Sequence, residues 1–384
     1  MTTLTQLIEH HCPNGVEYVE LKEVLKYEQP SKYLVSSTDY DDGFSTAVLT
    51  AGKTFILGYT DETTGIYEAS PDDPVIIFDD FTTAFKWVDF PFKAKSSAMK
   101  MLTPAVVDSS FRYIFYAMHD VDVDVTDHKR QWIRTYSKEK IPLPPYEVQD
   151  AIVERLDAFA ALIESLDSEI TLREKRFEYF REQLLNFDES DGVDYVKLED
   201  VFELGSGYTP SRKNTQYWEN GSIPWFRMDD IRTNGRILSN SLEKITPEAV
   251  KGGRLFPGNS VILSTSATIG EHAIVTTDFM CNQRFHVLVL RETFTERVHP
   301  RFVYYVGFSL GEYCREHVNE GNFKTVSSAA FKAFPFPLPP YEVQDTIIDK
   351  LDTMQALIDN LKQERELRRT QFAYYREKLL TFNS

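Results

Sequence analysis

Three cysteines are all that the 384 residues contain, and Cys12, Cys281 and Cys314 lie far apart with no CxxC pair. An odd, scattered set reads as reduced thiols and excludes a disulfide framework or a cysteine-built zinc site. No apolar run approaches the roughly 18 residues that a membrane span needs. The opening MTTLTQLIEHHCPNGVEY lacks a basic stretch followed by an apolar one, so no secretion signal is expected and the protein is expected in the cytoplasm, off the membrane. The eight histidines, including the adjacent His10 and His11, show no HExxH or other ligand spacing, so no metal is expected. Excess positive charge is missing too: the net charge is −17. Taken whole, that argues against nucleic-acid binding.

Signatures of catalysis come close and fail. AVLTAGKT (47–54) approaches a phosphate loop, but Ala47 stands where the first glycine is required. FILGYT then continues as a strand, where a phosphate loop needs a helix. LPPY occurs at 143–146 and again at 338–341. It is similar to the Asn/Asp-Pro-Pro-Tyr signature of amino-methyltransferases, but leucine cannot accept a hydrogen bond from a base amine. The prolines are expected to bend the chain ahead of a helix. Ser264, Thr265 and Ser266 have no paired base. The expectation is a chain without a catalytic site or a cofactor of its own.

What is present is a repeat, the first feature to seek because it decides the architecture. Residues 141–187 and 336–382 are identical at more than half their positions without a gap. GVEYVELKEV from Gly15 matches GVDYVKLEDV from Gly192, and the N-terminal TQLIEHHCPNGVEYV faintly echoes EQLLNFDESDGVDYV from Glu182. Each long copy follows a proline stop and then runs without Pro or Gly, as a helix does. Apolar residues fall at alternating steps of four and three: Ile152, Leu156, Phe159, Ile163, Leu166 and Ile170, then Phe177, Phe180 and Leu184. The second copy gives Ile347, Leu351, Met354, Ile358 and Leu361, then Phe372, Tyr375 and Leu379, with Arg173, Arg365 and Arg368 as interruptions. Such a seam predicts a coiled coil. About 40 helical residues span ~60 Å. Two equivalent copies in one chain pair most economically about a twofold, hence antiparallel. The alternative is that each helix packs on its own domain.

The predicted domains are 1–140 (with 1–14 a helix fragment beside the end of the second long helix), the first helix 141–191, a second domain 192–335 and the second helix 336–384. The domains share a strand-like opening and little else. Short apolar runs such as TAVL, PVIIF, NSVILSTSATIG and RFHVLVLRE, separated by Gly, Pro, Asp and Asn, predict mixed, mostly β structure with a few helices, one near 301–317. The fold class expected is α+β: two mixed, mostly β domains separated by a long antiparallel two-helix coiled coil, with an internal pseudo-twofold.

By region, residues 1–140 carry 14 basic and 22 acidic side chains, 141–191 carry 5 and 13, 192–335 carry 16 and 16, and 336–384 carry 7 and 8. The second domain is thus neutral and rich in arginine. The candidate nucleic-acid contacts in the first domain are Lys53 and the stretch 78–102, where Lys86, Lys93, Lys95 and Lys100 interleave with aromatics and Ser96/Ser97. Lysines attract phosphates and hydroxyls bond phosphates or base edges; the bland alternative is lysines lying over an aromatic core. In the second domain they are Thr209, Ser211, Arg212 and Lys213 on a Gly-rich turn, Arg227, Arg232 and Arg236, Ser264, and the run Asn282, Gln283, Arg284. Arginine reads guanine, and asparagine or glutamine reads adenine, through paired hydrogen bonds.

The layout resembles the specificity subunits of Type I restriction–modification systems, over nearly the whole chain. The resemblance rests on two variable domains, each followed by a PLPPxExQ-type turn and a repeated helix. Local text supports it: VIIFDDFTTAFKWVDF and KAKSSAMKML, then GYTPSRKNTQYW, IPWFRMDDI, ITPEAV, and PGNSVILSTSATIGEHAI followed by CNQRF. It implies that each domain reads half of a split duplex DNA site while the coiled coil sets the spacer. It also implies two docked modification subunits, which carry S-adenosylmethionine and methylate adenine, and restriction subunits that use ATP and Mg. The reading from another class is an assembly scaffold whose two arms bind proteins or glycans, not DNA.

Overall fold

The computed structural model describes residues 4–52, 54–106, 108–121, 123, 130–188, 192–319 and 325–382. The chain divides into two compact units, Met1–Asp167 with Gln363–Ser384, and Ser168–Lys362. Each holds one β-rich arm and a half of each long helix, so the packing boundaries cut through the helices and not at their ends.

In the first unit α1 (Leu4–His11) precedes β1 (Glu17–Glu20), α2 (Leu21–Val24), β2 (Leu25–Glu28), β3 (Thr46–Leu49), β4 (Ile56–Thr60) and β5 (Val75–Asp79). There follow β6 (Phe85–Val88), β7 (Phe92–Ala94), β8 (Met99–Pro104), α3 (Phe111–Ala117), β9 (Lys140–Leu143) and the long α4 (Tyr146–Leu185). In the second, β10 (Asp194–Lys197), α5 (Leu198–Val201), β11 (Phe202–Ser206), β12 (Ile223–Phe226), α6 (Met228–Asn234), β13 (Ile237–Leu238) and β14 (Glu243–Ile245) lead on to the rest of the arm. That remainder is β15 (Ser260–Ser264), β16 (His272–Val275), β17 (Met280–Cys281), β18 (Phe285–Leu290), α7 (Pro300–Glu316), α8 (Ser328–Ala333) and β19 (Pro335–Leu338), then the long α9 (Tyr341–Leu380).

The two arms share one topology. A sheet of order β2-β8-β5-β6 in the first corresponds to β11-β18-β15-β16-β13 in the second. A three-stranded sheet β4-β3-β7, antiparallel then parallel, corresponds to β14-β12-β17. The ribbons β1-β9 and β10-β19 close each arm. The fully buried strands serve two cores because alternate side chains leave opposite faces. Ile76 and Phe78 pack with α3 and α4 residues, whereas Val75 and Ile77 pack against β3 and β7. Val261 and Leu263 divide from Ile262 in the same way. The segment AVLTAGKT opens a hairpin: Ile56–Thr60 pairs antiparallel with β3.

Both long helices form, and they run antiparallel. Within the first unit Asp167 meets Arg365 at 2.9 Å and Arg369 at 3.1 Å, and Phe159 stacks on Tyr375 with centroids 5.3 Å apart. Within the second, Glu174 meets Lys362 at 2.6 Å. The expected seam is divided, however. Ile152 and Leu156 are fully buried in the core of the first arm, and Ile347, Leu351 and Ile358 in that of the second. Ile170 is buried, while Phe159, Ile163, Leu166, Met354 and Leu361 are half-buried. The coiled-coil expectation and its alternative therefore both hold in part: the first turns of each helix insert into that helix's own arm. Leu4, Leu7 and Ile8 of α1 pack in the same core as Leu379, Leu380 and Phe382.

The repeated text has a physical explanation beyond the proline bend. Gln149 is buried, donates to the Pro144 carbonyl (2.7 Å) and accepts from Ser110 N (2.9 Å). Gln344 does the same with Pro339 O (2.9 Å) and His299 N (2.9 Å). Two turns on, Asp157 accepts from Arg112 Nε (2.8 Å) and from the Tyr116 hydroxyl, and Asp352 from Arg301 (2.8 Å) and the Tyr305 hydroxyl. These residues latch the helix to its arm. A buried amide left without its partners costs about 1–3 kcal/mol.

Candidate nucleic-acid interface

Parallel pairing of β12 with β17 sets Phe226 beside Cys281, and the chain then reverses into β18 through Asn282, Gln283 and Arg284. The reversal is held internally: Asn282 N donates to Phe226 O (2.9 Å), and Asn282 Oδ1 accepts from Arg284 N (3.0 Å). That local bond is the usual reason for Asn in a turn. Two loops clamp it. On one side Tyr208 N donates to Cys281 O (2.8 Å) and the Thr209 hydroxyl to Gln283 Oε1 (2.6 Å). Gly207 is required there, because a Cβ would stand 2.3 Å from the carbonyl oxygens of Cys281 and Asn282. On the other side Thr265 N donates to Arg284 O (3.2 Å). Thr209, Gln283 and Arg284 are exposed, and Arg284 has no carboxylate partner among the described residues.

The same turn exists in the first arm between β7 and β8. Lys95 N donates to Leu49 O (3.0 Å), Ser96 Oγ accepts from Ala98 N (3.1 Å), Val35 N donates to Ala94 O (3.0 Å) and Asp80 N to Ala98 O (3.0 Å). Lys95 Nζ reaches the Tyr40 hydroxyl at 3.1 Å. Ser96 and Ser97 are exposed. The structure thus brings the KAKSS and CNQRF segments to equivalent positions, which their text alone does not suggest. Tyr40 is a residue that sequence reasoning missed; only the topology places it at this turn.

Around the second turn much of the positive charge is internally offset. Arg212 makes paired bonds to Glu243 (2.8 and 2.8 Å) and lies 3.6 Å from the Trp218 ring. Its guanidinium holds the Glu243 carboxyl below the usual range. Arg227 reaches Asp229 and Glu243, each at 3.1 Å. Buried Asp230 accepts from Arg227 N (2.7 Å) and Leu242 N (2.6 Å), and burial raises its pKa. Ser211 and Lys213 are exposed on the clamp loop, and Arg232 is exposed on α6.

Other candidates lie elsewhere. Lys100 is fully buried against Asp80 at 3.0 Å. Lys93 is buried, donating to Thr64 O (2.6 Å) and pairing with Glu62 at 2.9 Å, which holds the Glu62 carboxyl down to about 2. Neither is a surface lysine: each neutralises a carboxylate inside the arm, and its aromatic neighbours are core. Ser264 is also buried, bonded to Ser266 O (2.9 Å). Arg236 turns to Glu271 (2.8 Å) and lines a cavity of about 600 Å³ with Arg181, Tyr304 and Phe308. Lys86 is exposed on β6, opposite Ile77 and outside the turn. Lys53 lies outside the described residues. No metal-binding cluster occurs among the described residues, and no helix there is long and apolar enough to cross a membrane.

Residues 190–368 match the family described as Type I restriction modification DNA specificity domain. The chain is 40% identical over 390 residues to the Type I restriction enzyme EcoR124I/EcoR124II specificity subunit of Escherichia coli, a match that covers 96% of this chain and 94% of that one. It is 45% identical over 201 residues, half of each chain, to the Escherichia coli EcoprrI specificity subunit. The crystal structure of the S subunit of a Type I restriction–modification system from M. genitalium has the same fold, with a TM-score of 0.58 at 12% identity over 97% of this chain and 98% of that one. By this likeness along nearly its whole length, the chain belongs to the specificity subunits of Type I restriction–modification systems, non-catalytic components that recognise DNA sequence.

Proposed function

We propose that each arm reads one half of a two-part duplex DNA site, and that the paired helices set the number of base pairs between the halves. The same helices help dock two adenine-modifying methyltransferase subunits. S-adenosylmethionine belongs to those subunits, and ATP and Mg to restriction subunits that join them. One observation carries this: a single arm topology occurs twice on near-identical helices, yet presents different side chains at equivalent turns, Ser96–Ser97 in one and Gln283–Arg284 in the other. A conserved scaffold with divergent exposed loops suits two different recognition surfaces.

The net charge is −17, and beside the second turn Arg212 and Arg227 are engaged by carboxylates. Much of the phosphate contact therefore falls to the partner subunits in this proposal. The salt dependence of duplex binding counts those contacts, so it should steepen when the modification subunit is added. The deciding experiment is methylation mapping by single-molecule sequencing, with this chain co-expressed with its cognate modification subunit in an unmethylated host. A new split adenine-methylated motif, absent without this chain, is the expected result. An intact, active complex that yields no motif would favour the non-DNA scaffold. Inserting one helical turn in both repeats should lengthen the spacer and leave the half-sites alone.

A further inference from the structure

On the proposal that each arm reads one half-site, we infer that the β17–β18 turn is the base-reading element of the second arm. Gln283 and Arg284 contact purine edges there, and Thr209 is the residue that positions Gln283. Three observations converge on this turn. The first is rigidity without a structural purpose for the tips. The backbone is fixed at both ends by Phe226 O, Tyr208 N and Thr265 N, and within by Asn282. Gly207 lets the clamp loop approach to a distance no side chain would allow. The two residues this scaffold holds out, Gln283 and Arg284, are nevertheless exposed. An exposed side chain needs no such support for stability, whereas a recognition group does, because ordering it in advance lowers the cost of binding.

The second observation is chemical. Thr209 donates its hydroxyl proton to Gln283 Oε1 at 2.6 Å, which leaves the amide NH2 as the group Gln283 has to offer. Arg284 has only donors to offer. Two adjacent donor groups match an edge rich in acceptors. In the major groove only guanine offers two such acceptors, N7 and O6; adenine offers N7 beside an amino donor, thymine O4 alone, and cytosine an amino donor. The neighbouring Arg212 and Arg227, by contrast, have their donors engaged by Glu243 and Asp229.

The third is equivalence. The first arm holds its own turn by equivalent bonds from the same two loops, yet that turn is one residue longer, carries Ser96 and Ser97, and ties the flanking loop through Lys95 and Tyr40 instead of Thr209 and Gln283. Conserved support beneath a changed tip is what differing half-sites would demand of a reading element.

The test uses the complex with its modification subunit and the methylated motif as readout. Arg284→Ala and Gln283→Ala are each expected to relax one base position of a single half-site, with methylation of the original sequence falling roughly ten- to hundred-fold. The other half-site and the spacer should stay as they were. Thr209→Val should lower methylation several-fold without changing the motif, and Thr209→Ser should restore it, which a merely structural threonine would not predict if folding is unchanged. Where a variant supports no methylation, binding of the purified complex to duplexes substituted singly in the second half-site gives the same information. Equal weakening on every duplex would make these residues phosphate contacts and overturn the inference. So would unchanged selectivity at all positions. Both outcomes differ from failure of the two-part reading itself, in which the unaltered chain would give no split motif.

Discussion

The two arms close the same contact with opposite chemistry. Strand register makes Asp80 and Lys100 in the first arm equivalent to Thr265 and His286 in the second. The first pair is a fully buried ion pair at 3.0 Å, with Trp132 N donating to the other carboxylate oxygen at 2.9 Å. The second is a neutral hydrogen bond of 2.9 Å between the Thr265 hydroxyl and His286 Nδ1, and burial holds the imidazole pKa down, favouring the neutral ring. Both tie the β5–β6 or β15–β16 loop to the strand after the turn, so one loop arrangement tolerates either chemistry. What differs is the penalty for losing a partner. A buried charge left alone is far costlier than a neutral acceptor left alone.

Lys100→Met should therefore destabilise the first arm by about 3–5 kcal/mol, the usual cost of breaking a buried ion pair, seen in thermal or urea unfolding. The double substitution Asp80→Thr with Lys100→His, which imports the second arm's pair, should recover most of that. A single substitution costing under about 1 kcal/mol would mean that the first arm's pair is hydrated, and the contrast between the arms would fall.

The next difference lies one strand away. His272 in β16 occupies the register position of Phe85 in β6. It is fully buried, with Nδ1 3.2 Å from Gly270 O, Nε2 3.1 Å from Tyr304 O and its ring 4.5 Å from that of Phe308. Burial first, and Arg236 second, push its pKa down to about 3. The unfolded imidazole titrates near 6.5, so on acidification the unfolded state takes up the proton first. Stability is full above about pH 6.5 and falls as pH drops towards 3, by about 2 kcal/mol at pH 5 from this one group. His272→Phe should lower that slope between pH 7 and 5 in the unfolding of the second unit. An unchanged slope would place the acid sensitivity in the carboxylates.

Some of this was legible in the sequence and some was not, for physical reasons. The two long helices were, because a helix reports its buried face every three to four residues and the copies kept that pattern. Their latches were visible only as repeated letters: Gln149 and Asp157 lie in the PPYEVQD and LD text, but their partners Ser110, Arg112 and Tyr116 are some 40 residues away. Beyond the matched openings at Gly15 and Gly192, the shared topology of the arms left no trace, since β pairing is set by contacts between distant segments whose side chains have diverged. Lysine content misled most. Lys93 and Lys100 alternate with aromatics as surface lysines would, and only the carboxylates of Glu62 and Asp80, brought in by other strands, reveal them as internal. The turn residues Gln283 and Arg284 could be named from residue type alone, whereas Thr209 needs the fold to show which of them it touches.

The smallest expected effect concerns the helices, where the comparison is of charge sign. The repeat offset makes Asp167 equivalent to Lys362 and Glu174 equivalent to Arg369. Asp167 meets Arg369 at 3.1 Å in the first unit, and Lys362 meets Glu174 at 2.6 Å in the second. One contact thus occurs twice with its charges exchanged between the helices. Had α4 paired with another α4 in the same antiparallel register, Asp167 would face Glu174; had α9 paired with another α9, Lys362 would face Arg369. Both self-pairings set like charges together, and only α4 with α9 satisfies both positions, the device by which coiled coils select partners. The contacts are exposed, so each contributes at most about 0.5–1 kcal/mol, and less at high salt. Asp167→Lys loses the contacts with both Arg365 and Arg369, and adding Arg369→Glu should return the Arg369 part, about 0.5–1 kcal/mol in urea unfolding at low salt, as a coupling energy in a double-mutant cycle. A coupling that vanishes at low salt would leave partner choice to the apolar seam. A measurable one would show that charge distinguishes two helices whose apolar positions are nearly the same.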